Sequence, residues 1–195
     1  MRWLILLLMA YVFVVLEQGL SLVFDQPGKY NFAPGMLLIL LVYVGMFAPP
    51  MMVLWTGIIL GLLHDLSHPV KLTGELADAA IMGPAALAYL LGAVAMLQIR
   101  GVVYRGSPLS IALFSFIISI IVHLAFVLIF MLRGLPMMFF PGEQVIQWSW
   151  SAELVGRFFS LLTTFAVALP MGWLLLRFGS AAFGTDVPKS GSGRW

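Results

Sequence analysis

Long runs of apolar residues, separated by short polar segments, occupy most of the chain. Each run carries few charges and is long enough to form a helix rather than a strand. An apolar helix of about 20 residues is the length that crosses a bilayer. The pattern predicts six transmembrane helices, over residues 3–22, 34–48, 50–64, 79–98, 109–132 and 153–177.

The second and third runs, 34–48 and 50–64, are short for a membrane crossing. Each would form a helix about 22 Å long, whereas the hydrocarbon core is about 30 Å thick. Pro49 and Pro50 separate the two runs, because proline lacks an amide hydrogen and its ring clashes with the preceding turn. We predict a tight helical hairpin, or two helices partly inside the bundle. A bundle of five helices is the alternative.

The composition places most of this chain in lipid. Of its 195 residues, 62% are apolar, and only ten are Lys or Arg and eight Asp or Glu. A soluble domain of this length would have roughly 49 charged residues. Because the net charge of +2 comes from so few groups, we expect no nucleic-acid partner. The fold class is therefore predicted as an all-α integral membrane protein surrounded by a lipid bilayer.

The two ends of the chain differ in character. Arg2 is followed directly by apolar sequence with no small-residue cleavage site, so we expect the first run to be retained as a membrane helix. The last segment, 179–195, is rich in Gly, Ser and Ala, a composition typical of a flexible tail. The prediction is one six-helix transmembrane domain over 1–178, followed by a flexible cytoplasmic tail over 179–195.

Basic residues determine the predicted orientation, because cytoplasmic loops of membrane proteins are enriched in Lys and Arg. The loop 99–108 carries two arginines and no acidic residue, whereas the loop 65–78 carries three acidic residues and one lysine. We therefore expect both termini to be cytoplasmic. The arginines that carry this prediction are Arg2, Arg100, Arg105 and Arg177.

The third predicted helix carries a glycine pair followed by an acidic residue. Gly57 and Gly61 form a GxxxG pair, which lets a second backbone approach closely. Asp65 lies near the helix C-terminus, where a negative charge meets the unfavourable end of the helix dipole. We expect Asp65 to need a compensating donor, for which Lys71 is the candidate, and to orient the helix end or contact a partner.

The fifth and sixth predicted helices carry small or polar residues at intervals of four. Residues at this interval share one face of a helix, and small or hydroxyl-bearing faces suit close helix contact. We expect these stripes to pack the two helices together or to bind a transmembrane partner. They consist of Ser115, Ser119 and His123 in one helix and of Gly156, Ser160, Thr164, Ala168 and Gly172 in the other.

No catalytic arrangement is recognisable in the sequence. The chain lacks a Gly-x-Ser-x-Gly elbow, a phosphate-binding glycine-rich loop with a lysine, and a His-Glu-x-x-His motif. The absence of cysteine excludes disulfides, iron–sulfur clusters and thiol catalysis. His64, Asp65 and His68 have the atoms of a metal site, but three such residues in one short segment are weak evidence. We predict neither an enzyme nor a cofactor nor a bound metal.

Several motifs between residues 34 and 132 form a more specific pattern. They are Pro34, the Leu37-Leu38-Ile39-Leu40-Leu41 run with Tyr43, Gly57, the Gly61-Leu62-x-x-Asp65 element, and the Gly83-Pro84-Ala85-Ala86-Leu87 segment with Tyr89. This pattern covers about half of the chain and resembles MreD, the rod shape-determining membrane protein family of bacteria.

The resemblance implies a non-enzymatic subunit of the cell-elongation machinery in the bacterial cytoplasmic (inner) membrane. Such a subunit acts as an adaptor whose helices pack against a single-span MreC-like partner. Through that partner it is linked to an MreB-like filament and to the wall-synthesis enzymes, and so supports cell shape and peptidoglycan synthesis. The family is similar in fold to the substrate-binding S components of energy-coupling vitamin transporters.

That similarity supplies the alternative function, a substrate-binding subunit of a small-molecule uptake transporter. It would need a polar pocket reached from outside, and candidates for it lie in the aromatic loop predicted over 133–152. A proton- or ion-coupled channel is a third class, disfavoured because the central spans lack charged residues. The candidate pocket residues are Glu143, Gln144, Gln147, Trp148 and Trp150.

Overall fold

The computed structural model describes residues 2–24, 34–68, 70–71, 78–79, 82–101, 107–139 and 150–183. A short antiparallel pairing of β1 (Val70–Lys71) with β2 (Asp78–Ala79) lies between the third and fourth helices. Apart from this pairing, the described chain is all-helical, as predicted. The helices are α1 (Arg2–Phe24), α2 (Met36–Phe47), α3 (Pro50–Ser67), α4 (Pro84–Ile99), α5 (Pro108–Phe139) and α6 (Trp150–Phe183).

Four of these helices are long and apolar enough to cross a membrane, which indicates a membrane protein. The outward face of α1 is apolar, and Leu4 and Tyr11 are 72% and 68% exposed, as expected of side chains in contact with lipid. The two remaining helices, α2 and α4, are apolar but shorter, with 12 and 16 residues. The four candidate spans are Trp3–Ser21, Pro50–Ser67, Pro108–Ile129 and Val155–Arg177.

The short helix α2 forms the centre of the bundle. Every residue from Met36 to Met46 is buried, and α2 contacts each of the other five helices. A helix that is apolar on all sides is expected in such a position. Its connection to α3 consists of Ala48 and Pro49, and Pro50 occupies the first position of α3, where its missing amide hydrogen costs no helical bond. Of the two arrangements predicted for this hairpin, the structure has α2 inside the bundle.

Glycines also bring neighbouring helices against α4. A Cβ atom added at Gly45 of α2 would overlap Cγ of Met96. A Cβ atom at Gly92 of α4 would lie 2.5 Å from Cγ2 of Val122 in α5. These two positions were not singled out from the sequence, because each is a lone glycine without a partner four residues away.

Several helix boundaries differ from the predicted ones. Helix α5 reaches Phe139 and α6 begins at Trp150, so both helices extend into the loop predicted over 133–152. Helix α6 continues to Phe183, beyond the predicted tail boundary at 179, and residues 184–195 lie outside the described residues. Helix α4 begins at Pro84 rather than at Ala79. Gly83 has a φ of 122°, a backbone conformation that favours glycine and is not helical, so the helix cannot start before Pro84.

Candidate functional site

One end of the bundle collects polar side chains from α1, α3 and α6 around the N-termini of α2 and α4. The amide Nε2 of Gln18 in α1 donates a hydrogen bond of 2.9 Å to the carbonyl of Ser67 in α3, which joins the C-terminal parts of these two helices. We name this region the polar end. We define it by Glu17, Gln18, His64, Asp65, Ser67, His68 and Thr164, all of which are buried or half-buried.

Asp65, in the last turn of α3, binds the N-terminus of α4. Its Oδ2 accepts a hydrogen bond of 2.8 Å from the backbone N–H of Gly83, and its Oδ1 accepts one of 3.0 Å from that of Ala85. Oδ2 also accepts a longer bond of 3.4 Å from the N–H of Ala86. Since Pro84 has no amide hydrogen, this one carboxylate binds every N–H from Gly83 to Ala86.

This arrangement identifies the donor that Asp65 was expected to need. The N-terminus of a helix carries unpaired N–H groups and the positive end of the helix dipole, so a buried carboxylate is stabilised there. The compensating group for Asp65 is therefore the first turn of α4. The side chain of Lys71, the donor suggested from the sequence, lies outside the described residues.

The two glycines of the GxxxG pair place α3 directly on the backbone of α4. A Cβ atom at Gly57 would lie 2.9 Å from Cβ of Ala93. A Cβ atom at Gly61 would overlap Cα of Ala86 and lie 2.6 Å from the carbonyl oxygen of Ala85. Backbone atoms in a packed helix cannot move aside cheaply. Gly61 thus sets the approach of α3 to the same helical turn that the Asp65 carboxylate caps.

Glu17 has the equivalent role at the N-terminus of α2. The side chain is 4% exposed, and its Oε2 accepts a hydrogen bond of 3.0 Å from the N–H of Leu37. Thr164 of α6 holds the same helix start, because its Oγ1 accepts a bond of 2.8 Å from the N–H of Gly35. Glu17 was not predicted as a site residue, since nothing in its local sequence reveals that α2 begins beside it.

Glu17 also faces His64 in the last turn of α3 and His68, the residue that follows this helix. Its Oε1 lies 3.5 Å from Nδ1 of His64, and one ligand atom from each of Glu17, His64 and His68 lies within 4.8 Å of the others. The ring centroids of His64 and His68 are 4.4 Å apart. Burial and, to a smaller extent, the neighbouring His64 lower the pKa of His68 from its ordinary value. The carboxylate beside these histidines is Glu17, whereas Asp65, grouped with them from the sequence, is directed to α4.

The polar stripe of α5 is mostly buried, with His123 half-buried. Ser115 and Ser119 are fully buried. Oγ of Ser119 lies 3.1 Å from Nδ1 of His123, and the same ring nitrogen lies 2.7 Å from the Ser119 carbonyl oxygen. Both contacts connect successive turns of α5. Among the described residues, Oγ of Ser115 has no hydrogen-bond partner.

The small-residue stripe of α6 contacts two different neighbours. Thr164 is fully buried and reaches α2, while its hydroxyl donates to the carbonyl of Ser160 at 2.6 Å. Gly156 and Ser160 are half-buried on the same face. Near the other end of α6, a Cβ atom at Gly172 would lie 3.2 Å from Cβ of Ile111, which shows close packing of α6 on α5.

The arginines used to predict orientation are spread over the chain. The Nη1 atom of Arg100 donates to the carbonyl of Ala48 at 3.3 Å, so the C-terminus of α4 lies beside the α2–α3 connection, away from the polar end. The guanidinium of Arg177 lies 5.2 Å from the ring centre of Trp173. Arg2 begins α1, and Arg105 lies outside the described residues.

The candidates for a ligand pocket are mostly beyond the described part of the chain. Trp150 is the first residue of α6, and its side chain is not among those described. The others, Glu143, Gln144, Gln147 and Trp148, lie outside the described residues.

In comparisons with protein-family models, curated proteins and solved structures, nothing matches the chain.

Proposed function

We propose that this chain is a membrane adaptor of the MreD type. In this proposal it is a six-span bundle in the bacterial cytoplasmic membrane that holds a single-span MreC-like partner against its helices. Through that partner it is linked to an MreB-like filament and to wall-synthesis enzymes. The supporting observation is that two motifs of the resemblance, Gly61-Leu62-x-x-Asp65 and Gly83-Pro84-Ala85-Ala86, meet in one α3–α4 joint.

The chemistry of this joint favours a mechanical role. The Asp65 carboxylate accepts three backbone hydrogen bonds and is 6% exposed, so it is poorly placed to act on a substrate. Close glycine packing beside it fixes the distance between α3 and α4. In lipid, helices associate through such packing and hydrogen bonds rather than through the hydrophobic effect. A rigid α3–α4 pair is what a partner helix needs in order to pack in one register.

Co-purification with the MreC protein of the same bacterium tests this proposal. We expect the wild-type chain, solubilised in a mild detergent, to retain the partner, and Asp65→Asn to retain several-fold less while remaining inserted in the membrane. The reason is that the asparagine keeps one acceptor oxygen but loses the charge that stabilises the first turn of α4. Asp186→Asn removes the same charge from the C-terminal segment and should leave recovery unchanged.

Three outcomes would count against the adaptor proposal or part of it. Failure of the wild-type chain to retain the MreC protein would reject the adaptor, and a small molecule retained in equimolar amount would favour the uptake subunit. Equal recovery of the partner with wild type and Asp65→Asn would show that the α3–α4 contact at Asp65 does not contribute to partner binding.

The proposed six spans and cytoplasmic termini predict which positions are reachable from each side. The chain has no cysteine, so single cysteines report accessibility without background. We expect Gly101→Cys, after α4, to react with an impermeant maleimide only once the cells are opened, and Gly28→Cys to react in intact spheroplasts. Reporter fusions at residues 1 and 195 should both report cytoplasm. Labelling of Gly101→Cys from outside would contradict the six-span arrangement with cytoplasmic termini.

A further inference from the structure

We propose that Glu17, His64 and His68 form a binding site for a divalent transition-metal ion, with zinc the best match to the ligand types. The site lies at the polar end, where the C-terminal half of α1 passes the last turn of α3. Two imidazoles and one carboxylate are a common protein ligand set for zinc when a water or another ligand fills the fourth position. This role goes beyond the adaptor proposal and does not depend on it.

The spacing between Glu17 and His64 fits two ligands of one ion better than it fits a hydrogen bond. Oε1 of Glu17 and Nδ1 of His64 are 3.5 Å apart, beyond the usual length of a nitrogen–oxygen hydrogen bond. Ligand atoms at zinc bond lengths of about 2.0–2.2 Å, arranged tetrahedrally, lie about 3.3–3.5 Å from one another. The observed separation is therefore already that of adjacent tetrahedral ligands.

His64 supplies a second observation. Its Nδ1 is buried, and among the described residues it has no hydrogen-bond partner. A buried ring nitrogen without a partner is costly, because it has lost its bonds to water without replacement. An ion bound between this nitrogen and the Glu17 carboxylate would satisfy both groups at once.

The two histidines lie next to each other at the C-terminal end of α3, with His64 in its last turn and His68 directly after it. His64 and His68 are four residues apart, the spacing that places two imidazoles side by side for a single ion. Their ring centroids are 4.4 Å apart. Both side chains are half-buried rather than enclosed, so an ion can reach them.

Neighbouring backbone groups orient two of the three ligands. Nδ1 of His68 lies 3.2 Å from the His64 carbonyl oxygen, so the tautomer that donates there leaves Nε2 with a free lone pair. Oε2 of Glu17 is held by the N–H of Leu37, which leaves Oε1 directed at His64. Metal-binding histidines commonly donate their other ring N–H to a carbonyl or carboxylate, and ligating carboxylates are themselves hydrogen-bonded.

Metal titration of the full chain in detergent tests the site. The protein should carry an affinity tag without histidine, be treated with a chelator and then be titrated with Zn²⁺ by calorimetry and with Co²⁺ by visible absorption. We expect saturation at about one ion per chain and the visible bands of four-coordinate Co²⁺. Loss of an outer-shell partner lowers metal affinity about 10–100-fold, so loss of a ligand in Glu17→Gln or His68→Gln should lower it by at least about 100-fold.

His123→Gln is the matched control, because it removes the third histidine of the chain, a half-buried side chain of α5 whose hydrogen-bonding contacts are with Ser119. It should bind the metal as wild type does. Addition of Zn²⁺ should also raise the Tm of wild type and His123→Gln but not that of His68→Gln, since a ligand stabilises only the state that binds it.

The outcomes separate a metal site from a simple ion pair between Glu17 and His64. Absence of saturable Zn²⁺ binding to folded wild-type protein would overturn the proposal and leave the ion pair. Equal loss of binding in His123→Gln and His68→Gln would do the same, because the binding would then be nonspecific. Glu17 also binds the start of α2, so Glu17→Gln could fail to fold. In that case the comparison of wild type with His68→Gln decides whether the metal site exists.

Discussion

Gly61→Ala is expected to destabilise the bundle by about 3 kcal/mol, the upper range for overpacking a filled interior. The added methyl group would overlap Cα of Ala86 and lie 2.6 Å from the Ala85 carbonyl oxygen, and both atoms belong to the backbone of a packed helix. The helices α3 and α4 would have to separate, which would also stretch the hydrogen bonds of Asp65. Unfolding in detergent, followed by circular dichroism, measures the change.

Gly19→Ala provides the control with the opposite expected sign. Gly19 also lies within a helix, α1, but a Cβ atom there would meet nothing within 4 Å. Because alanine favours a helix over glycine, this variant should be neutral or more stable by up to about 1 kcal/mol. Equal stability of the two variants would contradict the close packing of Gly61 against the backbone of α4.

Asp65→Ala is expected to lower stability by about 2–4 kcal/mol, because it removes a helix cap and leaves buried N–H groups without acceptors. Ala85 is fully buried, so water cannot replace the lost bond to its N–H. Asp65→Asn keeps one acceptor oxygen and should lose less. Asp186→Ala, in the C-terminal segment, should have little effect.

Hydrogen exchange localises this effect. In Asp65→Ala the amides of Gly83, Ala85 and Ala86 should exchange much faster, since each donates to the Asp65 carboxylate in the wild type. The interior of α2, which Asp65 does not contact, should keep its protection unless the whole bundle opens. Unchanged exchange at the start of α4 would contradict the capping role.

The sequence by itself determined the helical architecture well, because the signals for it are local. Apolar runs with few charges predict helices wherever they occur, and the six predicted runs correspond to α1 to α6. The Pro49-Pro50 pair predicts the break between α2 and α3, since a proline ring disrupts the preceding turn wherever it lies. The GxxxG pair predicted a close helix contact at Gly57 and Gly61, and the structure supplies α4 as the neighbour.

Only the tertiary structure decided which backbone groups the buried carboxylates bind. Asp65 binds residues 18 to 21 positions later in the sequence. Glu17 binds the N–H of Leu37, 20 positions later, at the start of α2. Neither pairing leaves a local pattern, because a helix N-terminus accepts any carboxylate that packing brings to it. For the same reason the sequence grouped Asp65 with His64 and His68, whereas the folded chain turns Asp65 to α4 and brings Glu17 of α1 to the histidines. The helix-forming pattern is a property of neighbours in sequence, and the polar end is a property of how the helices pack.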